Sequence, residues 1–188
     1  MYWVSFLYII NSTIMEKLKK DHLFPTTIYH TMVEDLDVNF YLKSLYEYKT
    51  KFPEGVKKSN IEGYQTQDDL HFHPTFYPLA HKLNYILTNN FEHPCNIVSL
   101  WGNISPPNSY NQVHIHPGCD FAGVLYLDTP PNSGNILFYD FSKKDRVVQH
   151  KPIPKKLIIF PWDLYHSVEL NLSNQYRISM SFNIHLQK

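Results

Sequence analysis

Three histidines in this chain have the types and spacing of a metal site. Two of them stand one residue apart in His114-Ile115-His116-Pro117, and the third, His166, follows in a later segment. Alternate side chains of an extended segment point to the same side, so His114 and His116 are predicted to share one face of a strand. If a returning strand brings His166 opposite them, three imidazoles hold one face of a metal ion. Such a set leaves coordination positions open for other ligands, as in non-haem iron sites.

A second pair of residues downstream could hold a carboxylate. Arg177 and Ser179 are also one residue apart, which places the guanidinium and the hydroxyl on one face of a strand. The flanking residues are apolar, so the strand is predicted to be buried, and a buried arginine requires an anion. A guanidinium grips a carboxylate with two parallel hydrogen bonds. Tyr126, in a separate predicted strand, is a candidate for a further hydroxyl at the same carboxylate.

Other side chains offer alternatives for the metal. Asp120 could replace His116 as the third ligand, and Cys119 could complete a closed four-ligand zinc site. The geometry of alternate residues favours His116, because no loop has to rearrange. The segment His71-Phe72-His73-Pro74 repeats the same motif, but no distant histidine or arginine follows it at suitable spacing. We therefore predict that this second motif is a surface loop.

Composition limits the classes of function. The chain has 188 residues, with 17 basic and 17 acidic side chains and two cysteines, Cys95 and Cys119. This length suits one domain with a real core. Two cysteines are too few for a disulfide framework, which favours reduced thiols and a cytoplasmic protein. The balanced charge and scattered lysine pairs show no basic stripe, so nucleic acid is not favoured as a partner.

The N-terminal segment is expected to lie outside the fold. Residues 1–14 are apolar and aromatic, but they lack a basic flank and a cleavage site and are too short to span a bilayer. Met15 opens a segment that is typical of a protein start. We therefore predict a non-structural extension at 1–14 and a single domain at 15–188, with no membrane association. The alternative is a weak signal or anchor segment.

The remaining elements are predicted to be mainly β, with flanking helices. Amphipathic patterns indicate helices at 37–51 and 75–91, with a polar loop at 57–70 between them. A proline-punctuated edge strand is predicted at 23–29. Turn clusters separate seven further candidate strands, at 96–104, 113–116, 121–127, 134–139, 155–160, 166–170 and 176–185. Two helices followed by strands at regular spacing favour a β-sandwich or jelly roll with the helices packed on one sheet.

Several stretches together resemble one enzyme family. They are Leu23-Phe24-Pro25-Thr26, Ser59-Asn60-Ile61-Glu62-Gly63-Tyr64, Trp101-Gly102-Asn103-Ile104, His114-Ile115-His116-Pro117, Gly123-Val124-Leu125-Tyr126-Leu127, Ser133-Gly134-Asn135-Ile136-Leu137-Phe138, Phe160-Pro161 through His166, and Arg177-Ile178-Ser179-Met180-Ser181-Phe182-Asn183. The chain resembles the 2-oxoglutarate- and Fe(II)-dependent oxygenases, in particular a branch with an HxHP motif found in bacteria and phages. The resemblance covers most of the chain from Leu23 onward.

The resemblance implies a cupin-like double-stranded β-helix, or jelly roll, with iron at its mouth. His114 and His166 match the family's first and distal histidines, and Arg177 matches its 2-oxoglutarate-binding arginine. Ser179 and Tyr126 match further residues that contact the co-substrate in some members. One departure is that His116 stands where most of the superfamily has a carboxylate, which raises the charge of the iron centre by one.

The implied activity is hydroxylation, with Fe(II) and 2-oxoglutarate as cofactors and ascorbate as a further candidate. The substrate would be a small molecule or a peptide, and the location the cytoplasm of a bacterium or of a phage-infected host. Two alternatives stay open: a three-histidine cupin-type dioxygenase that needs no 2-oxoglutarate, and a non-catalytic metal-binding β-sandwich module. Aromatic and amide residues are weak candidates for the substrate pocket, namely Trp101, Asn103, Tyr110, Asn111 and Trp162.

Overall fold

A computed structural model describes residues 17–23, 26–141 and 146–187. The predicted extension at 1–14 and the proposed start at Met15 lie outside these residues, as does part of the first matching stretch. Among the described residues, no helix is long and apolar enough to cross a membrane.

Seven strands of the described residues form the larger of two antiparallel sheets. The order across this major sheet is β1-β2-β10-β7-β12-β5-β4. These strands are β1 (Lys19–Leu23), β2 (Thr26–Met32), β4 (Tyr64–Gln65), β5 (Cys95–Ser105), β7 (Phe121–Asp128), β10 (Lys156–Pro161) and β12 (Arg177–Leu186). At the centre of the sheet, β12 pairs with β5 on one side and with β7 on the other.

The minor sheet has five described strands in the order β3-β6-β11-β8-β9. They are β3 (Asn60–Ile61), β6 (Tyr110–His114), β8 (Ile136–Asp140), β9 (Arg146–His150) and β11 (His166–Val168). From β5 to β12 the chain alternates between the two sheets at every step except the β8–β9 hairpin. This path is a double-stranded β-helix, and the predicted jelly roll is confirmed.

Two α-helices cover the outer face of the major sheet. Helix α1 spans Val38–Lys51, close to the predicted 37–51, and the carboxylate of Asp37 caps it by accepting the N–H of Phe40 at 3.0 Å. Helix α2 spans Tyr77–Thr88, shorter at both ends than the predicted 75–91. A short 3₁₀ helix, Leu70–Phe72, precedes it.

Two hydrophobic cores lie on opposite faces of the major sheet. One joins the helices to the sheet and contains Leu45, Leu83, Leu125 and Met180. The other fills one end of the space between the sheets and contains Val124, Phe138 and Phe160. Consecutive residues of β7 alternate between these cores, as the pleat of a strand requires. The inner face of the major sheet can therefore carry polar groups while its outer face stays apolar.

The sequence prediction missed four short or polar strands. The predicted loop at 57–70 contains β3 and β4, and neither β1 nor β9 was predicted. β3 and β4 have two residues each, too few to show a period of two. β1 and β9 are edge strands that are mostly charged or polar, so their pairing depends on a neighbouring strand rather than on burial.

Candidate metal centre

The three histidines singled out above converge at one end of the cavity between the sheets. His114 ends β6 and His166 begins β11, and the two are direct partners across the antiparallel ladder. All three residues offer a ring nitrogen within 4.8 Å of the others. The Nε2 atoms of His116 and His166 are 3.2 Å apart. Two nitrogens that bind one metal at right angles, each at about 2.1 Å, stand about 3 Å apart, so this spacing fits a shared ion.

Backbone carbonyls fix the orientation of two of the rings. Nδ1 of His114 lies 2.7 Å from the carbonyl oxygen of Gln112, and Nδ1 of His166 lies 2.8 Å from that of Leu164. A carbonyl oxygen only accepts, so each Nδ1 carries the proton and each Nε2 keeps its lone pair. This is the tautomer that a metal ligated through Nε2 requires.

His116 is held in a different way. The strand predicted at 113–116 ends at His114, and His116 lies just beyond it. Its backbone N–H donates to the carbonyl oxygen of Trp162 at 2.9 Å, which joins this segment to the turn after β10. Its ring stacks on His166, with centroids 5.0 Å apart and planes 7° apart, and on Trp101 at 5.9 Å.

Burial keeps the cluster neutral. Burial, with repulsion from His114, lowers the pKa of His116 to about 4. Burial also lowers the pKa of His114 and lowers that of His166 well below its usual value. Neutral imidazole is the form that binds metals, so the cluster stays competent for ligation in mildly acidic solution.

Metal affinity should therefore depend weakly on pH. Three histidines with an ordinary pKa of about 6.5 would each lose about 25-fold between pH 7 and pH 5 through competition from protons. Because the pKa values here are lowered, we expect the total loss of Co(II) affinity over that range to be below about tenfold. Co(II) affinity at each pH is measured from the quenching by Co(II) of the fluorescence of Trp101, which stacks on His116. A loss of about 10⁴-fold, the product of three such losses, would show that the rings titrate as exposed histidines.

Asp120 and Cys119, the two alternative ligands, make contacts outside the histidine cluster. The carboxylate of Asp120 accepts the backbone N–H of Leu186 at 2.9 Å and lies 3.2 Å from Nδ1 of His185. The thiol of Cys119 is 3.2 Å from the carbonyl oxygen of His116, and burial raises its pKa to about 11. Among the described residues, neither joins the three histidines as a ligand group. The set is open, whereas a structural zinc site fills all four positions.

The second histidine motif does not build a site in the described part of the chain. His71 lies in the short 3₁₀ helix before α2, and His73 caps that helix. Neither histidine belongs to a group of three close ligands. Nδ1 of His73 lies 3.3 Å from the N–H of Thr75, which ties this ring to its own loop.

A cavity of about 430 Å³ extends from the histidines along the inner face of the major sheet. Its volume lies within the range of small-molecule sites. Four alternate polar residues of β12 line it: Arg177, Ser179, Ser181 and Asn183. Trp101, Asn103 and Asn111 also line this cavity. Trp162 and Tyr110 do not, and both side chains are exposed. The cavity therefore has a metal-binding end and a polar wall.

Arg177 is a buried cation in this wall. Only 3% of the residue is exposed. Its Nη1 donates to the carbonyl oxygens of Ser133 and, at 3.5 Å, of Gly134. No acidic side chain among the described residues pairs with it, and burial lowers its pKa while Tyr126 opposes that shift. Because a buried charge is costly without a counter-ion, this guanidinium fits an anion that enters the cavity.

Tyr126, Ser179 and Asn103 lie side by side next to Arg177. Ser179 pairs with Asn103 on β5 and with Tyr126 on β7, so the three side chains share one face. A bulge in β7 between Tyr126 and Asp128 sets this register. Burial raises the pKa of Tyr126 far above its usual value, with Arg177 opposing, so its hydroxyl stays protonated. The group offers hydrogen-bond donors to a carboxylate held by Arg177.

Sequence reasoning did not connect the turn at Ser133 and Gly134 with Arg177. Gly134 has φ +89°, and a Cβ atom there would lie 2.4 Å from the carbonyl oxygen of Glu169 and 3.0 Å from Nη1 of Arg177. Only glycine fits this conformation and this approach. The glycine was visible in the sequence, but its contact with an arginine on a distant strand was not.

Asn183 was also not assigned a role from the sequence. Its side chain lies in the cavity wall near His116 and raises the pKa of that ring, against the larger effect of burial. Its Oδ1 is buried without a regular hydrogen bond. The alternation of polar residues from Arg177 onward, in a strand that is otherwise apolar, is the signal that could have found it.

Comparisons with known proteins identify the fold. No protein-family model matches the sequence, and no curated protein is significantly similar to it. Among solved structures, the non-heme alpha-ketoglutarate-dependent carbocyclase SnoK from nogalamycin biosynthesis has a TM-score of 0.68 at 12% identity, covering 84% of this chain and 78% of that one. HygX from Streptomyces hygroscopicus, with nickel, 2-oxoglutarate and hygromycin B bound, has a TM-score of 0.65 at 12% identity, covering 85% and 83%. A Pseudomonas putida prolyl-4-hydroxylase has a TM-score of 0.61 at 12% identity, covering 86% and 93%. The chain thus shares the fold of 2-oxoglutarate-dependent oxygenases.

Proposed function

We propose that this chain is an Fe(II)- and 2-oxoglutarate-dependent oxygenase that hydroxylates a small molecule or a peptide. The observation that carries the proposal is the pairing, in one cavity, of an open three-histidine cluster with a buried arginine that has no acidic partner among the described residues. A metal ion would bind the histidine cluster, and a dicarboxylate that also binds the metal would pair with the arginine. The solved structures of similar fold include HygX with nickel and 2-oxoglutarate bound, and HygX with iron bound.

His114, His116 and His166 would hold the iron through Nε2. The carbonyl acceptors on Nδ1 of His114 and His166 keep those two rings in the required tautomer. Bound iron would couple the decarboxylation of 2-oxoglutarate to succinate and carbon dioxide with insertion of one oxygen atom of dioxygen into a substrate C–H bond. The protein supplies position, charge and a cavity that limits water.

The spacing along β12 suits a short dicarboxylic acid. His116 stacks on Trp101, which pairs with Ser181, whereas Arg177 lies four residues earlier on the same face. Four residues of a strand span about 13 Å. The Arg177 side chain and the co-substrate would together span this distance. The keto acid end would lie at the histidines and the far carboxylate at the guanidinium.

Charge favours the same ligand. With three neutral histidines, the positive charges of Fe(II) are not offset by any ligand, and Arg177 adds another. A dianion that bridges the two centres neutralises most of this charge in a partly buried cavity, where electrostatic interactions are stronger than in water.

An anaerobic absorbance titration tests the proposal. Fe(II) and then 2-oxoglutarate are added to the metal-free protein, and we expect a weak visible charge-transfer band that requires both additions. The matched control is glutarate, which has the same two carboxylates but no keto group and should give no band. Iron binding without a band would instead favour a three-histidine dioxygenase that does not consume the keto acid, and Arg177 would then need another anion.

A further inference from the structure

Ser59 lies against the metal-facing side of His114. The loop before β3 places the Ser59 hydroxyl oxygen 3.4 Å from Nε2 of His114. Because Nδ1 of that ring donates to the carbonyl oxygen of Gln112, Nε2 can only accept. The hydroxyl of Ser59 must therefore be the donor in this long hydrogen bond.

Asn111 fixes the other side of the same hydroxyl. Its Nδ2 donates to the Ser59 oxygen at 3.1 Å. The hydrogen bonds thus run in one direction, from Asn111 to Ser59 to His114. In this direction the Ser59 hydroxyl presents its proton to the histidine cluster.

The backbone holds Ser59 in place. Its carbonyl oxygen accepts the N–H of Gln112 at 2.9 Å. The next residue, Asn60, is buried, and its side chain bonds three backbone groups of the surrounding loop, those of Val56, Lys58 and Gly63. These contacts keep the Ser59 backbone beside the histidine cluster.

A metal ion and the Ser59 hydroxyl compete for one lone pair. When Nε2 of His114 binds a metal, it can no longer accept from Ser59, and Asn111 still occupies the hydroxyl oxygen. A hydroxyl proton without an acceptor in a partly buried site is unfavourable. The acceptor must come from the cavity that Ser59 and Asn111 both line.

We propose that Ser59 is a metal-released hydrogen-bond donor. In the metal-free protein it donates to His114, and in the loaded protein it donates to an oxygen ligand beside His114 on the metal, a carboxylate or water. It would act as a positioning residue that favours anionic oxygen ligands, with Asn111 orienting its hydroxyl. This inference rests on the proposed metal site, and it does not depend on which carboxylate binds there.

The test compares Ser59→Ala with Ser59→Thr, which keeps the hydroxyl. Ser44→Ala, on helix α1 across the major sheet, is the matched control for a serine-to-alanine change. Co(II) affinity is measured by competition with a chelator. The affinities of acetate and of 2-oxoglutarate are then measured from the visible spectrum of the Co(II) protein.

In Ser59→Ala, ligand affinity should fall while Co(II) affinity does not. Loss of the competing hydrogen bond should leave Co(II) affinity unchanged or raise it by up to about fivefold. Loss of a donor to a charged oxygen should weaken the binding of acetate and 2-oxoglutarate by about tenfold or more. Ser59→Thr and Ser44→Ala should both behave as the unaltered protein does.

Two results would overturn the inference. Weaker Co(II) binding in Ser59→Ala would show that the serine only supports His114. Unchanged acetate and 2-oxoglutarate affinity would show that it donates to no ligand. If the unaltered protein binds 2-oxoglutarate no better than acetate, the proposed function fails instead, and the acetate comparison still decides the role of Ser59.

Discussion

Replacement of Arg177 by methionine is expected to weaken 2-oxoglutarate binding by about 30-fold or more. The guanidinium is buried and donates to two backbone carbonyl oxygens, which carry no net charge, so the far carboxylate would lose its main partner. Truncation of one partner of a buried charge pair costs about 2–5 kcal/mol. Fe(II) affinity should change by less than about threefold, because Arg177 does not touch the histidines. The charge-transfer band, titrated with keto acid, measures the effect.

A smaller keto acid separates this role from damage to the fold. 2-Oxobutanoate has the chelating end of 2-oxoglutarate but lacks the far carboxylate. It should bind the Arg177→Met protein and the unaltered protein equally well. Arg146→Met, a change at the exposed arginine of β9, is the matched control and should alter neither ligand's binding. Equal loss of both keto acids in Arg177→Met would point to a collapsed cavity.

Arg177→Met should also be tolerated by the metal-free fold. A buried cation without a counter-ion is unfavourable, and apolar replacements of buried charges are often neutral or stabilising. We therefore expect the variant to unfold at the same temperature as the unaltered protein or at a higher one. Thermal unfolding without ligands, followed by circular dichroism, provides this check. The comparison would show that the arginine is retained for binding rather than for stability.

The parts of the fold that the sequence predicted are those in which burial imposes a pattern. Helix α1 is amphipathic and begins after Asp37, a residue suited to cap it, and β7, β10 and β12 are mostly buried strands. β9 is an edge strand of exposed and half-buried residues, and β3 and β4 are too short to have a pattern. Their pairing depends on neighbours that are distant in sequence.

The candidate site also has residues that the sequence predicted and residues that it did not. The histidines and Arg177 could be singled out because their types and spacing are uncommon in core strands. The role proposed for Ser59 could not be predicted, because it depends on a hydrogen-bond direction set by Gln112 and Asn111. The hydrogen bonds from Arg177 to the Ser133–Gly134 turn likewise join segments that are distant in sequence. Such contacts follow from the register of the sheets, which the sequence of one strand does not specify.

The identity of the third metal ligand has the largest consequence for the charge of the site. A carboxylate from Asp120 would lower the charge of the metal centre by one, whereas His116 leaves it at the charge of the ion. The contacts of Asp120 with Leu186 and His185 hold its carboxylate at the end of β12. His116, in contrast, has its Nε2 3.2 Å from that of His166. The structure therefore favours three neutral ligands.

Exchange of His116 for alanine should accordingly lower Fe(II) or Co(II) affinity by at least about 100-fold. Loss of a residue that only hydrogen-bonds to a metal ligand costs less. Asp120→Ala should leave metal affinity within about threefold and instead lower the free energy of unfolding by about 1 kcal/mol, through loss of its hydrogen bond to the Leu186 N–H. Competition with a chelator measures the first quantity, and urea unfolding measures the second. The reverse pattern, with metal binding lost in Asp120→Ala and kept in His116→Ala, would make the aspartate the ligand. A centre with three neutral histidines would take its anions from bound ligands, which agrees with a buried Arg177 that has no acidic partner among the described residues.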